Sequence, residues 1–511
     1  MSDWTAGYVA DIGYTYGYYE ELNPLRARLA FLNQGFVCPE FKTACELGFG
    51  QGISANIHAA ASAVRWYGTD FNPSQAGFAK ELAEMSGAGA ELFDESFDEF
   101  AERKDLPDFD FIGVHGIWSW ISDANRKVIV DFVRRKLKVG GVLYISYNTL
   151  PGWAAFAPMR HLMAEHAGII GTPGKGIVTR VDEAMEFADS LMETKPLFAR
   201  ANPLVGDKVK KLKTRNRHYL AHEFLNRDWH PMHVATMAEW LQPAKLGFAC
   251  SAHYMDHIDT LNFTAEQHRF LKEIPDRMFR ESVRDYMVNQ QFRRDYWVKG
   301  VRTLSPVEHA EALREHKILL ISHRPDISLK ITGPLGEANM SESVYTPLLD
   351  LLADHQVRTI GQVETALSGK GIEFAKLFQA VMILDGAGHL GAVQSEKVAS
   401  KVKQQSAKLN QYLVGKSRDS GEIEHLTSPV TGGGIAVNKF QQLFLLALSQ
   451  GKKQPAEWAE FACDALAKQG QKVVKEGKAL DNAKESLAEV KRQAETFAAK
   501  RLPILKALQI A

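Results

Sequence analysis

Cysteine is scarce in this sequence, and its few copies are scattered. The four cysteines among 511 residues are Cys38, Cys45, Cys250 and Cys463, and no two of them form a C-x-x-C pair. This spacing argues against a disulfide framework and against a zinc site built on cysteine pairs. We therefore expect a protein of the reducing cytoplasm that holds no metal.

Long apolar runs and an excess of one charge are also missing. No stretch approaches the roughly 20 uncharged apolar residues that a membrane span requires. Residues 1–4 lack the basic flank and apolar run of a secretory signal. Lys plus Arg and Asp plus Glu both total 61, so the overall charge points to no class of partner. We expect neither a secretory signal nor a membrane span.

The length of the chain predicts several domains. A chain of 511 residues exceeds what one hydrophobic core usually supports. Composition shifts and breaks in the pattern predict a core over 1–150, a helical insertion over 151–217, a return to the core over 218–256, a middle helical domain over 257–325, and a mostly helical C-terminal domain over 326–511.

The first third of the sequence alternates strand-like and helix-like runs. Five short apolar segments predict strands, at 41–47, 64–69, 90–93, 109–114 and 141–147. Such alternation is typical of a parallel sheet with crossover helices. We therefore predict an α/β fold with a Rossmann-like, doubly wound sheet. A strand-like run at 247–254 is expected to return to this sheet.

The most specific motif is a glycine-rich turn between the first predicted strand and a helix. It reads E-L-G-F-G-Q-G and contains Glu46, Gly48, Gly50 and Gly52. Glycines let an adenosyl ligand approach the main chain and tolerate positive φ values, while the acid orients the loop and the cationic end of the ligand. The dinucleotide fingerprint places its third small residue one position later. The spacing therefore favours S-adenosylmethionine over NAD as the cofactor.

An acid at the end of the second predicted strand is the next feature of the cofactor site. Asp70 stands there, where a carboxylate can accept hydrogen bonds from the ribose hydroxyls and repel the 2′-phosphate of NADP. Phe71 follows and is included in the predicted site. After the third strand, either Asp94 or Ser96 is expected to contact the adenine edge, with a solvated loop as the alternative for both.

The fourth and fifth strands end in residues suited to the reacting end of the site, because ligands of open α/β sheets bind at the carboxyl ends of strands. His115 is predicted to be a general base or a cofactor contact, with a structural histidine as the alternative. Tyr147 and Asn148 are predicted to hold an amine for methyl transfer, with a structural turn as the alternative. Trp118 and Trp120 are expected either to wall a cation-receptive pocket or to pack in the core.

Other segments carry weaker patterns. The aromatic run at 14–20 is expected to cover the cofactor as a lid or to pack against the sheet. Residues 208–217 are strongly basic, and basic helices are predicted near 277–284 and 293–302. Lysine and arginine are the residues that contact phosphates, so these segments support a nucleic-acid partner. A charged helix that simply faces solvent is the alternative.

The C-terminal third predicts helices followed by a short hairpin. Residues 318–322 and 328–332 are expected to pair as strands, and glycines 432–434 to form a flexible loop. Helical patterns are found over 344–354, 360–366 and 373–384. This order of elements is similar to that of a winged-helix module.

The motifs occur in an order that resembles one bacterial family. They are the glycine turn, H-G-I-W-S-W from His115, S-Y-N-T-L-P-G-W from Ser146, and Y-L-A-H-E-F-L from Tyr219. Together they resemble the class I methyltransferases that carry a methyltransferase regulatory domain, a group that includes rickettsial protein lysine methyltransferases acting on outer membrane proteins. The resemblance covers residues 8–300. Trp118 departs from it, since relatives carry tyrosine there.

The resemblance implies a methyltransferase domain interrupted by a helical, often dimerising element, then a regulatory segment and a C-terminal domain. We predict an S-adenosylmethionine-dependent methyltransferase that acts on a protein side chain or another macromolecule. A lysine acceptor and a homodimer are expected from the resemblance alone. A nucleic-acid methyltransferase is the second interpretation, although no N-P-P-Y-type motif follows the fourth strand. A cofactor-binding scaffold without catalysis is the third.

Overall fold

A computed structural model describes residues 7–8, 13–171 and 173–511 of the chain. Each of the five strands predicted in the first third is present. The elements of this part are α1 (Pro24–Asn33), β1 (Thr43–Leu47), α2 (Ile53–Ala61), β2 (Arg65–Thr69), α3 (Pro73–Ser86), β3 (Glu91–Phe93), α4 (Phe97–Glu102), β4 (Phe109–Val114), α5 (Asp123–Lys136) and β5 (Leu137–Asn148).

A helical insertion follows β5. Its helices are α6 (Leu150–Trp153), α7 (Ala157–Ile169), α8 (Ile177–Glu193), α9 (Leu197–Ala201), α10 (Leu204–Leu212), α11 (Arg217–Phe224) and α12 (Val234–Leu241). Methionines of α7 and α8 form a small core of their own with apolar residues of α10 and α11. Ile169, Leu197 and Leu204 of this insertion are exposed. The expected homodimer stays a prediction.

The chain then returns to the sheet through β6 (Gly247–Ser251), α13 (Asp259–Asn262), α14 (Ala265–Lys272), α15 (Arg277–Met287) and β7 (Phe292–Val298). The complete sheet has seven strands in the order β3-β2-β1-β4-β5-β7-β6. The strands β1 to β5 are parallel, whereas β7 runs antiparallel to both β5 and β6. The predicted Rossmann-like, doubly wound fold is therefore confirmed.

One predicted element of this region is wrong. The basic run over 293–302 was expected to be helical, but its first half lies in β7 between two neighbouring strands. Arg293 is buried there because it forms ion pairs with Glu281, Asp285 and Asp295. These partners lie on α15 and on β7 itself. The charge of this segment predicts a solvent-exposed helix. It forms a buried strand instead, because the ion pairs with the three carboxylates compensate the buried charge of Arg293.

Local chemistry explains where the helices around the sheet begin and end. Asn72 caps α3 by accepting a hydrogen bond from the Ser74 N–H at 3.0 Å, and Pro73 occupies the first helical turn. Gly87 ends the helix in the left-handed conformation. Strands β1 and β4 are almost wholly buried because helices cover both faces of the sheet. The loops at the carboxyl edge are consequently held in a fixed frame.

The C-terminal part is mostly helical. Its elements are α16 (Pro306–Glu315), β8 (Lys317–Leu320), β9 (Lys330–Gly333), β10 (Gly336–Asn339), α17 (Glu342–Leu352), β11 (Arg358–Thr359), α18 (Ile360–Ala366), α19 (Phe374–Gly386), β12 (Leu390–Ala392), α20 (Glu396–Lys416), β13 (His425–Ser428), β14 (Gly433–Ala436), α21 (Lys439–Ser449), α22 (Pro455–Lys468), β15 (Val474–Lys475), β16 (Lys478–Ala479), α23 (Ala483–Thr496) and α24 (Leu502–Ala507).

Two expectations for this part are wrong. Strand β8 pairs with β11 and β12 rather than with the segment near 330, which forms a hairpin of β9 with β10. The glycines at 432–434 form a mostly buried turn into β14 rather than a flexible loop. The domain limits and the winged-helix likeness stay predictions. Over the described residues, the helices include none with both the length and the apolar character of a membrane span.

Candidate functional site

A cavity of about 230 Å³ lies at the carboxyl edge of the parallel strands. Its walls come from the loops after β1, β2, β3 and β4 and from the segment that precedes α1. Its lining includes Glu46, Gly48, Asp70, Ser96, His115 and Trp120. These six residues lie up to 74 positions apart in the sequence, and they come together because neighbouring parallel strands end at the same edge.

Gly48 and Gly50 of the glycine turn line this cavity, whereas Gly52 lies outside its described lining and its cofactor role stays a prediction. Gly48, Gly50 and Gly52 all have positive φ values, of 72°, 58° and 68°. At Gly48 a side chain is also excluded by space, because a Cβ atom there would lie 2.9 Å from the Ile117 side chain. The Gly48 N–H donates to the carbonyl of Thr69 at 2.8 Å, which fastens the turn to the end of β2. Bare main chain therefore faces the cavity, as an adenosyl ligand requires.

Glu46 is a buried acid with spare hydrogen-bonding capacity. Its Oε2 atom has no hydrogen-bond partner within the described part of the chain. Burial, together with the negative charge of Asp70, raises the pKa of Glu46 to about 8. A cationic ligand group placed beside this carboxyl would both satisfy the oxygen and stabilise its charge. The site therefore fits the cationic methionine end of S-adenosylmethionine.

Asp70 is fixed by the main chain around it. Its carboxylate accepts hydrogen bonds from the N–H groups of Gly50 at 2.8 Å and Asn72 at 3.0 Å. Burial raises its pKa to about 6, although these two donors oppose the shift. Phe71 also lines the cavity, and its ring meets the edge of the Tyr8 ring at a centroid distance of 5.9 Å. The ribose role predicted for Asp70 fits this position.

The two candidates for the adenine contact have different surroundings. Ser96 lines the cavity and caps α4, where it shares a capping box with Glu99. Asp94 lies outside the lining, is exposed, and pairs with Lys80 at 3.0 Å. Glu95, which the sequence reading passed over, lines the cavity and is held by Arg103 at 2.6 Å. The adenine roles of Asp94 and Ser96 stay predictions, and the geometry favours Ser96.

His115 lies at the end of β4 under an aromatic ring. The Tyr19 ring stacks on the imidazole with a centroid distance of 3.5 Å. Its Nδ1 atom shares a hydrogen bond with the Tyr144 hydroxyl at 2.8 Å. Burial lowers the pKa of His115 to about 4, so the imidazole is neutral at pH 7. The general-base role stays a prediction, and a base with so low a pKa is weak.

Tyr147 and Asn148 are buried at the end of β5, outside the described lining of the cavity. The Tyr147 hydroxyl donates to Asp295 at 2.8 Å. The main chain of Asn148 donates to the Ser119 hydroxyl and accepts from the Met232 N–H. Their predicted catalytic roles stay predictions, and the contacts favour an indirect effect on the loop that carries Trp120.

The tyrosine side chains of the N-terminal aromatic segment point in two directions, toward the cavity and away from it. Tyr14 and Tyr19 line the cavity. Tyr16 turns away to meet Phe78, with centroids 5.4 Å apart, and Tyr18 lies between histidines of α2 and β13. The segment thus covers the cavity and packs against the sheet domain at once. The covering role and the packing role expected from the sequence are both present, in different residues of the segment.

A row of aromatic rings continues from the cavity wall into the insertion. Trp120 lies 6.2 Å from Trp229 between ring centroids, and Trp229 lies 5.3 Å from Trp153. The Lys208 Nζ atom sits 3.8 Å from the centroid of Trp153 and 4.6 Å from that of Phe156. Trp118 is instead buried in the core and donates to the Met232 sulfur. Sequence analysis did not include Trp229 and did not connect Trp153 with Lys208, because these residues meet only through tertiary packing.

Comparisons with known proteins agree with this arrangement. Residues 216–299 match the family model described as "Predicted methyltransferase regulatory domain". An uncharacterized protein of Synechocystis is 40% identical over 512 residues, which cover 99% of both chains. The chain therefore belongs to the family of this Synechocystis protein. Its regulatory-domain match, together with the Rossmann-like sheet, identifies it as a methyltransferase of class I fold.

Two further similarities support the placement of the fold. The structure of PKMT2 from Rickettsia typhi in complex with AdoHcy covers 98% of this methyltransferase and 100% of its own chain, with a TM-score of 0.70 and 17% identity. An uncharacterized protein of Rickettsia prowazekii is 27% identical over 189 residues, which span 33% of that protein. The full length of this methyltransferase, including its C-terminal part, therefore shares one fold with a solved relative.

Proposed function

We propose that this methyltransferase transfers the methyl group of S-adenosylmethionine to a lysine amine of a protein. The observation that carries the proposal is the row of rings from Trp120 through Trp229 to Trp153. This row begins in the cavity wall and already holds one lysine ammonium, that of Lys208. Ring faces attract cations through their quadrupole, so an incoming lysine finds a receptive path to the cavity.

Each polar or glycine residue on the cofactor side of the cavity has a distinct role in this proposal. Gly48 and Gly50 leave the main chain bare for the adenosyl group, and the free oxygen of Glu46 accepts the amino group of the cofactor. Asp70 accepts from the ribose hydroxyls. When bound, the cofactor supplies an electrophilic methyl group on a sulfonium centre. These assignments rest on the burial and partners of each side chain.

On the acceptor side, Asp228 is the carboxylate that lines the cavity next to the tryptophan row. Its present partners are weak, since Arg227 lies 3.5 Å and His230 3.4 Å away. An arriving ammonium would gain an ion pair with this carboxylate. His115 is neutral at pH 7 and the Tyr19 ring covers it, so neither group places a positive charge beside the incoming amine.

The arginines that suggested a nucleic-acid acceptor are occupied by protein groups. Arg280 donates to the carbonyl of Ile274, Arg284 pairs with Asp256, and Arg294 pairs with Glu21. Arg293 is buried among three carboxylates. Phosphate contacts require exposed cations, so α15 and β7 offer little to a nucleic acid. Lys210 and Lys211 are exposed, so the experiment below offers RNA as well as protein.

The proposal is tested by offering both acceptor classes to the purified enzyme. S-adenosylmethionine with a tritiated methyl group is incubated with heat-denatured total bacterial protein in one arm and with total bacterial RNA in the other. We expect label in protein, recovered after acid hydrolysis as methylated lysine. Trp229→Ala should lower this incorporation, whereas Trp458→Phe, far away in α22, serves as a control for substitution of a buried tryptophan.

Three results would contradict the proposal. Label in RNA alone would favour the nucleic-acid methyltransferase. Label in protein on a residue other than lysine would keep the acceptor class and overturn the lysine assignment. Binding of S-adenosylmethionine without label in either arm would favour the third interpretation, a cofactor-binding scaffold without catalysis.

A further inference from the structure

The turn that enters β14 packs directly against the N-terminal aromatic segment. The Gly434 N–H donates to the Tyr18 hydroxyl at 2.7 Å. The Tyr18 ring lies between His58 of α2 and His425 of β13, with centroid distances of 5.2 and 4.8 Å. The side chain amide of Asn23 also donates to the Thr431 carbonyl, at 3.4 Å. Residues from opposite ends of the chain therefore meet beside the cofactor cavity.

Gly433 and Gly434, the first two residues of β14, are needed for space rather than for a positive φ. A Cβ atom on Gly434 would lie 2.8 Å from two atoms of the Tyr18 ring, and one on Gly433 would lie 2.7 Å from its hydroxyl. Neither residue has a positive φ, whereas Gly432 does. Alanine at 434 would therefore fit the main chain but force Tyr18 to move, because close-packed interiors transmit such strain.

Any movement of Tyr18 reaches the cavity through the next residue. The Tyr19 N–H donates to the Ser54 hydroxyl of α2 at 2.8 Å, and its ring lines the cavity and stacks on His115. Tyr18 and Tyr19 are adjacent in the chain, and their contacts hold the same stretch of main chain. A shift of the Tyr18 ring therefore moves the main chain that carries the Tyr19 ring.

The C-terminal part also holds the helix that starts at the glycine turn. All nine residues of α2 are buried, including the side that a solvent-facing crossover helix would expose. Gln405 of α20 donates to the carbonyl of Ala59 at 3.0 Å, and Ser406 donates to that of Ala60 at 2.7 Å. Gln394 donates to the Ala61 carbonyl at 2.7 Å. The last turn of α2 is therefore tied to the C-terminal part rather than to water.

We propose that Tyr18 is a positioning residue through which the C-terminal part sets the shape of the cofactor cavity. Gly434 and Gly433 hold Tyr18, Tyr18 places Tyr19, and Tyr19 covers the reacting end beside His115. The inference rests on the cavity being the site of S-adenosylmethionine. It gives the C-terminal part a role in cofactor affinity, in addition to any role in acceptor selection.

The test is the affinity of full-length Gly434→Ala for S-adenosylmethionine, measured by titration calorimetry. We expect the Kd to rise about tenfold, within the range of typical couplings between sites. Tyr18→Phe keeps the ring but loses the hydroxyl, and it should weaken binding in the same direction by a smaller factor. Gly415→Ala in α20 is the matched control, because a Cβ there meets open space, and it should bind as the wild type does.

A double variant separates positioning from general damage. If Gly434 acts through Tyr18, then adding Gly434→Ala to Tyr18→Ala should change the Kd no further. An unchanged Kd in Gly434→Ala, or an equal loss in both backgrounds, overturns the inference. Failure of the wild type to bind S-adenosylmethionine would instead overturn the assignment of the cavity itself, so the two failures are distinguishable.

Discussion

The carboxylate of Asp70 accepts a hydrogen bond from the Gly50 N–H at 2.8 Å, across the gap between the first two strands. This bond fastens the glycine turn to the end of β2, so one residue both shapes the turn and lines the cavity proposed for the cofactor. Asp70→Ala removes the bond to the turn and the acceptor for the ribose. Because hydrogen bonds to charged groups contribute about 1.5–3 kcal/mol, we expect the Kd for S-adenosylmethionine to rise roughly tenfold to a hundredfold. Titration calorimetry measures it, and an unchanged Kd would refute the role.

Glu46 should make cofactor binding depend on pH. Its pKa of about 8 leaves it mostly protonated at pH 6, and the ammonium of the cofactor favours the ionised form. Binding then releases a proton, and affinity should rise between pH 6 and 7.5, by at most about tenfold per pH unit.

Calorimetry in buffers of different ionisation enthalpy counts the released proton. The matched variant Glu46→Gln cannot ionise, so it should bind with wild-type affinity at pH 6 and fall behind at pH 7.5. A wild type with flat affinity and no proton release would contradict the assignment of Glu46.

Asp228 should act on the acceptor and not on the cofactor. Asp228→Asn removes the charge that attracts the lysine, so the KM for the protein acceptor should rise about tenfold while the Kd for S-adenosylmethionine stays the same. Asp105→Asn, an exposed carboxylate beside Arg103, is the control. Equal losses of acceptor and cofactor affinity in Asp228→Asn would show that the carboxylate shapes the whole cavity instead.

Removing the charge of Arg293 should lower the stability of the protein more than removing an exposed charge does. Its guanidinium is buried and pairs with Glu281, Asp285 and Asp295, so Arg293→Met leaves three carboxylates without their cation. Breaking a buried pair typically costs about 3–5 kcal/mol. We expect a lower thermal midpoint in calorimetry.

The same substitution at Arg492, whose side chain is exposed, should leave the thermal midpoint almost unchanged. Burial already raises the pKa of Asp285 to about 6. Acidification toward pH 5 should therefore reduce the difference in thermal midpoint between Arg293→Met and the wild type. A midpoint equal to that of the wild type at pH 7 would contradict the pairing.

Local patterns were sufficient to predict the parallel strands and the glycine turn after β1. Each of β1 to β5 is an apolar run, and β1 and β2 end at a glycine turn and at Asp70. The same reasoning failed at β7, because nothing near Arg293 in sequence shows that Asp285 and Glu281 fold back onto it. The basic residues of this segment predict an exposed helix, whereas the structure has a buried strand there.

Contacts between distant segments escaped the sequence altogether. Tyr18 and Gly434 are separated by 416 positions, and the aromatic row of Trp120, Trp229 and Trp153 crosses from one element to another. The strand that contains Tyr147 was predicted correctly. The Tyr147 hydroxyl, however, donates to Asp295 and lies outside the cavity lining. Alternation along a strand does not reveal which of two faces meets a ligand.

The central claim is that the cavity at the glycine turn binds S-adenosylmethionine, and titration of the wild type beside Gly50→Arg tests it most directly. Gly50 lines the cavity with a φ of 58°, so arginine would both strain the turn and fill the space. We predict one cofactor bound per chain in the wild type and none in Gly50→Arg. No binding to the wild type, or equal binding to both proteins, would contradict the account.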